Sequence, residues 1–265
     1  MPTQKKIPLW GWIVLALAGA ALLIALLAKP GWYAWRALSY TWGEPTAAEE
    51  RVWEYAKEKG VPYGAYPVSL IALLDRNPET EDFVLNYPFR KEVSLDLSEF
   101  SGIQGVPLFL QWDVRWGYEK YGSDYLAVTG CGPTCLAMVG YHLTDDAVFH
   151  PARVAAFAQE QGYYAPGYGS SWTLISEGGV KLGLEVTELP LVKKKMTDAL
   201  EKGCPVILAM GAGDFTTTGH YIVLTAYEDG AFRVNDPNSR ENSARLWTYE
   251  ELEGQIRNIW SVGIP

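Results

Sequence analysis

The chain has 265 residues, enough for one sizeable domain and an accessory segment, and 48% of them are hydrophobic. Its 22 Lys and Arg stand against 31 Asp and Glu for a net charge of −9, so the basic footprint of a nucleic-acid binder is missing and nucleic acid is excluded as a partner. Three scattered histidines offer no zinc-ligand spacing, so neither a metal nor an organic cofactor is expected.

Residues 7–28 carry no charge and are rich in Leu, Ala, Ile and Val, a stretch long enough to span a membrane. Lys5 and Lys6 precede it, and Trp10, Trp12, Trp32, Tyr33 and Trp35 sit at its two ends as interfacial anchors. The positive-inside bias places the N-terminus in the cytoplasm and the rest outside, although Lys29 and Arg36 reduce the asymmetry. A cleaved signal peptide is the competing reading, with cleavage near 18–20 or 26–28, but its apolar region would be about 7–15 residues long. The expectation is an uncleaved single-pass anchor in residues 1–36 that holds the chain in the cell membrane with its main domain extracytoplasmic.

Residues 37–96 read as a helical stalk. A helix over 47–59 ends at Gly60, another over 66–76 has Pro67 near its start, and Asn77-Pro78-Glu79 opens a third with a capping residue, a first-position proline and acids in the first turn. The main domain occupies 97–265. It begins with an apolar run, 106–111, that ends in Gln111, followed by an aromatic loop, 112–117. The patterning then predicts helices over 152–161, 172–182 and 194–202, an extended stretch over 183–189, and strands at 206–210, 221–227, 231–234 and 259–262. Lys193-Lys194-Lys195 reads as a solvated helix start. Helices first and an antiparallel sheet last is an α+β order.

The stretch Gly130-Cys131-Gly132-Pro133-Thr134-Cys135 hands a loop over to an apolar helix with a thiol at the join. Glycines allow a tight turn and close backbone approach, and proline suits the first helical turn. Unpaired N–H groups and the positive end of the helix dipole favour a thiolate there, which is the chemistry of a cysteine nucleophile. A disulfide pair, a pair of buried small hydrophobes, or a redox pair with Cys135 are the alternatives. With three cysteines not all can pair, and Cys204 enters a strand as a core residue.

A general base must be one of three histidines. His142 lies about 16 Å along the nucleophile's own helix at 1.5 Å per residue, too far to reach the thiol. His150 precedes Pro151 and reads as a surface or capping residue. His220, after Gly219 and before an apolar run, enters a buried strand. The turn Glu228-Asp229-Gly230 then sets the register. A three-residue loop puts Asp236 opposite Ile222, on the face His220 shares, whereas a two-residue Asp229-Gly230 turn puts His220 and Asp236 on opposite faces. A carboxylate on one imidazole nitrogen leaves the other for the thiol. For the oxyanion the backbone N–H of Cys131 is one donor, and Gln111 is the candidate side-chain amide.

Taken together, Gln111-Trp112-Asp113-x-Arg115-Trp116-Gly117, Gly130-Cys131-Gly132-Pro133-Thr134, Gly219-His220-Tyr221 and Val234-Asn235-Asp236-Pro237 resemble the papain-like cysteine peptidases of the bacteriocin-processing-peptidase-like group, cysteine peptidase family thirty-nine, in its stand-alone membrane-anchored form. The resemblance runs from about 106 to the C-terminus. It implies a papain-like α+β fold, Cys131 as nucleophile, His220 as base, Asp236 as orienter, Gln111 in the oxyanion hole, and a peptide or protein substrate. The best-understood members cut leader peptides on the cytoplasmic side, so their substrate is not carried over. Two other readings stand beside this one. The first is a cell-wall amidase or transglutaminase-like acyltransferase; the second is a silent binding domain that uses the aromatic loops at Trp112, Trp116, Tyr163 and Tyr164.

Overall fold

A computed structural model describes residues 44–265. The expected anchor at 7–28 lies outside the described residues, and among those described no helix is long and apolar enough to cross a membrane. The chain divides into two compact units, Met1–Asp75 and Arg76–Pro265.

In the first unit, helix α1 (Ala47–Lys59) is specified at both ends by sequence. Thr46 and Glu49 form a reciprocal capping box, Glu49 and Glu50 sit at the positive end, Lys57 and Lys59 at the negative end, and Gly60 closes the helix at φ 69°. A single 3-10 turn, Tyr63–Ala65, leads to α2 (Val68–Arg76).

The second unit opens where Asn77 accepts the Glu79 N–H at 3.1 Å and starts a 3-10 turn, Pro78–Thr80, that runs into the short α3 (Glu81–Leu85). A two-stranded ribbon, β1 (Lys120–Tyr121) with β2 (Asp124–Tyr125), precedes α4 (Leu126–Thr129) and the central helix α5 (Cys131–Thr144). Helix α5 is buried along its whole length from Gly132 to Tyr141, as expected of a helix apolar all round. It packs on α6 (Pro151–Glu160), and a Cβ at Gly140 would fall 2.0 Å from the Phe149 ring. A second ribbon, β3 (Tyr164–Ala165) with β4 (Gly169–Ser170), occupies the glycine- and tyrosine-rich loop. The helix expected over 172–182 is a π turn, Leu174–Gly178, that continues as α7 (Gly179–Lys181). Gly179 lies so close to β5 that a Cβ would meet Val186 at 2.8 Å.

The remaining elements build one six-stranded antiparallel sheet. In chain order they are β5 (Glu185–Glu188), α8 (Lys193–Glu201), β6 (Val206–Met210), β7 (His220–Glu228), β8 (Ala231–Asn235), α9 (Arg240–Ala244), β9 (Leu246–Trp247), α10 (Tyr249–Glu253) and β10 (Ile256–Gly263). The spatial order is β5-β10-β6-β7-β8-β9. Alternation along the strands serves two cores. Ile207, Ala209, Tyr221, Val223, Trp260 and Val262 join the α5 side, while Val206, Leu208, Met210, Ile222, Leu224, Phe232 and Val234 join Met196 of α8 and Leu252 of α10. Burial on both faces explains the continuous apolar runs of β6 and β7. The fold is α+β, helices followed by an antiparallel sheet, as the order of elements predicts.

Candidate active site

Cys131 is the first residue of α5 and half-buried. The first bond into the helix runs from the Thr134 N–H to Gly130 O at 3.0 Å, so the N–H groups of Cys131 and Gly132 precede the intrahelical ladder. The glycines on either side are required by approach. A Cβ at Gly130 would lie 2.4 Å from Leu126 O, and one at Gly132 would lie 2.7 Å from Ser170 Oγ. All three cysteines are free thiols; Cys135 is fully buried one turn on, and burial pushes its thiol well up, toward the unreactive form.

His220 begins β7 and is buried, and its Nε2 lies 2.7 Å from Asp236 Oδ1. The route to this contact differs from either register considered above. Asp229 and Gly230, at φ 52° and 82°, form the two-residue turn, and Glu228 pairs with Ala231. Alone, that turn would separate the two side chains. The ladder steps by one residue between Leu224 and Ala226, however, so Thr225 is a β-bulge, after which Leu224 faces Val234 and Val223 faces Asn235. One further step sets Asp236 across from Ile222. The turn is the two-residue one, and the bulge restores the register that a three-residue loop would have given.

Burial is the largest single influence on His220 and lowers its pKa, but the Asp236 charge and hydrogen bond, with a hydrogen bond and charge attraction to Cys131, together outweigh it and push it up to about 10. Because Nε2 is committed to Asp236, Nδ1 is the nitrogen left for the sulfur. Asp236 is 1% exposed, and its carboxylate is fully engaged. Oδ1 also accepts from the Asn238 N–H at 2.8 Å, and Oδ2 accepts from Asn242 Nδ2 at 2.8 Å. The loop behind it is pinned from several directions. Asn77 Nδ2 and Trp112 Nε1 both donate to Asn238 O, the Gln111 N–H donates to Pro237 O, and Glu79 accepts from Ser239 Oγ and the Arg240 N–H.

The cleft between the α5 start and the end of the sheet where β6 finishes and β7 begins has a volume of about 290 Å³ and is lined by both Cys131 and His220. Gln111 does not line it. Its Nε2 donates to Ala127 O at 2.7 Å, which fixes the amide orientation and leaves Oε1 buried without a partner. His150 caps α6 by accepting the Arg153 N–H on Nδ1 at 3.4 Å, and His142 lies far along α5.

Of the aromatics expected to form a binding surface, Trp112, Trp116 and Tyr163 are buried and Tyr164 is half-buried. The exposed ones at the cleft are instead Tyr168 and Trp172, at 89% and 50%. Asn242, Ser170 and Arg257 were not singled out by the sequence reading. For Asn242 a signal exists: Ser239, three residues earlier, caps α9 by accepting its N–H, so Asp-Pro-Asn-Ser reads as a turn feeding a cap. Ser170 is held by Tyr121, whose hydroxyl lies 2.7 Å from Ser170 Oγ, and by Tyr221, which donates to Ser170 O at 3.2 Å.

Comparison with known proteins gives the following. The family model described as Peptidase_C39 like family matches residues 103–262, more than half of the chain. Among solved structures, the chain is similar to the peptidase domain of Streptococcus ComA, a bifunctional ABC transporter involved in a quorum-sensing pathway, at 18% identity and a TM-score of 0.41, covering 52% of this chain and 93% of that one. It is also similar to a chain described as a C39-like peptidase from Bacillus anthracis, at 15% identity and a TM-score of 0.35, covering 62% of this chain and 99% of that one. No curated protein matches.

Proposed function

Because the chain belongs to the Peptidase_C39 like family, we propose that it is a cysteine peptidase that hydrolyses peptide bonds through Cys131, His220 and Asp236. The single observation that carries this reading is the 2.7 Å contact of His220 Nε2 with the buried Asp236 carboxylate, made by a ring whose other nitrogen is left for a helix-start thiol.

The Cys131 sulfur, as thiolate, attacks the carbonyl carbon, and the carbonyl electron pair moves onto oxygen. The N–H groups of Cys131 and Gly132, ahead of the helical ladder, are the donors at hand. Gln111 remains the candidate side-chain donor: its Nε2 keeps one hydrogen after bonding to Ala127, and the amide would have to turn toward the cleft, which it does not line. Collapse of the intermediate breaks the C–N bond as His220 gives its proton to the leaving amine, which departs and leaves a thioester. Water then attacks the thioester, His220 takes its proton, the C–S bond breaks, and the acid leaves with the thiolate–imidazolium pair restored. Asp236 stays ionised and holds the ring throughout.

Residues 7–28 are proposed as a membrane anchor that sets this domain on the extracytoplasmic side. The test is a peptide library incubated with the full-length chain in detergent and with its Cys131→Ala variant. Fragments released by the first alone support hydrolysis. Exchange of an added amine into the substrate without hydrolysis would make it an acyltransferase, and no product from either would leave a binding domain.

A further inference from the structure

Of the side chains lining the cleft, Arg257 alone bears a permanent charge, in a protein whose net charge is −9. It sits in the cleft because of a second bulge. Between Ile256, paired with Met210, and Asn258, paired with Ala209, β10 gains one residue, and that residue is Arg257. The bulge also explains why Ile256 and Ile259, three apart, serve the same core. Bulges re-aim side chains, and this one sets an exposed cation at the rim of the cleft.

The guanidinium is held, not free. Its Nη1 donates to Gly254 O and Ile256 O, both at 3.1 Å, which spends that nitrogen's two hydrogens and fixes the plane. The remaining edge, Nε with Nη2, is the side-on fork that matches a carboxylate. Among the described residues no carboxylate lies within ion-pair range of it. Asp214, on the loop after β6, has Oδ2 taken by Gln255 Nε2 at 2.6 Å. The fork lies over Gly211, where a Cβ would fall 2.5 Å from Nε, so glycine is what lets the guanidinium rest on that backbone.

From this geometry we propose that Arg257 is a carboxylate-binding subsite of the cleft, taking an Asp or Glu side chain or a terminal carboxylate of the substrate. The fork rests on Gly211, the residue after Met210, and Met210 pairs with His220, so the subsite lies one strand spacing, about 5 Å, and one residue step from the base. An extended peptide covers that span in about two residues. The proposal deepens the peptidase reading and rests on it for the position of the bond to be cut.

The test is binding to the full-length Cys131→Ala chain, which holds substrate without turnover. The probes are fluorescein-labelled octapeptide pools with one position fixed as Glu or Gln, each made with a terminal carboxylate or a terminal amide. The expected result is at least about tenfold tighter binding of the carboxylate member of one pair, the usual size for a charge-assisted bond. Which pair shows the preference names the source. Adding Arg257→Gln should erase it, and Arg257→Lys should restore only part, because a point charge lacks the fork. Equal or undetectable binding of both members, or a preference that survives Arg257→Gln, overturns the proposal. An Arg257-dependent preference with no cleavage by the wild type would keep the subsite and remove the peptidase reading. Cleavage without the preference would do the reverse.

Discussion

His220 meets Asp236 at 2.7 Å because the Thr225 bulge offsets the two-residue Asp229–Gly230 turn by one step. The sheet register therefore brings the two residues face to face, and the loop after β8 holds the carboxylate there. Both oxygens of Asp236 accept, from His220, the Asn238 N–H and Asn242 Nδ2. Replacing it with Asn keeps the shape but puts an amide N–H against at least one of those donors. The expected outcome of Asp236→Asn is a fall in kcat of roughly 10²–10⁴-fold on any library peptide the wild type cuts. A stability loss of about 1–3 kcal/mol accompanies it, from the buried donor left unpaired. Steady-state kinetics beside a thermal melt separates the two, and retention of near wild-type kcat would remove Asp236 from the mechanism.

The raised His220 pKa fixes the sign of a pH effect. With a folded-state value of about 10 against an ordinary 6.5, the folded protein binds the imidazolium proton more tightly than the unfolded chain does. That stabilisation is complete below 6.5 and is lost as pH rises from 6.5 through about 10. Urea unfolding of the wild type and His220→Gln should therefore differ most near pH 6 and converge toward pH 10. A gap that stays constant or widens with pH contradicts the charged pair.

Glu79 ties the segment before α3 to the loop behind Asp236, with Oε1 accepting from Ser239 Oγ at 2.8 Å and Oε2 from the Arg240 N–H at 2.9 Å. It thus serves the first N–H groups of α9, the helix that carries Asn242 to the Asp236 carboxylate. Glu79→Ala should cost about 1 kcal/mol of stability, the usual size of a lost cap. It should also lower kcat severalfold at unchanged KM, because Glu79 acts through Asp236 and touches no substrate. Glu79→Gln, which keeps an acceptor for Arg240, should recover most of the kcat. Equal loss in both variants would mean that charge alone matters.

The helices and strands were legible where local chemistry decides them. Thr46, Glu49 and Gly60 mark α1 end to end, and an unbroken apolar run after Gly219 marks β7. Cys131, His220 and Asp236 stand out in the sequence for the same reason, each at or just past an element's end. What sequence did not carry depends on neighbours distant in the chain. The bulges at Thr225 and Arg257 are set by pairing with β8 and β6. The π turn at Leu174–Gly178 is set where Gly179 meets Val186 of β5. For Gln111, its place at the end of an apolar run made it a candidate amide but could not show that Ala127 O claims one of its hydrogens.

Gly132 offers the sharpest test of how closely the helix mouth is built. A Cβ there would lie 2.7 Å from Ser170 Oγ and 2.9 Å from its Cβ, closer than real contacts allow. Ser170 cannot simply yield, because Tyr121 holds its hydroxyl at 2.7 Å and Tyr221 its carbonyl at 3.2 Å. Gly132→Ala must therefore displace the first turn of α5, and Cys131 with it. An overpacking cost of about 1–3 kcal/mol is expected. Since a misplacement of about 1 Å can cost on the order of 10²-fold in rate, kcat should fall more than stability would suggest. Ser170→Gly removes the obstructing atoms, so Gly132→Ala/Ser170→Gly should recover kcat relative to Gly132→Ala alone. A coupling energy of about 0.5–3 kcal/mol between the two sites is the signature of direct contact. Strictly additive losses would mean that the glycine serves the turn's conformation instead of the approach of Ser170.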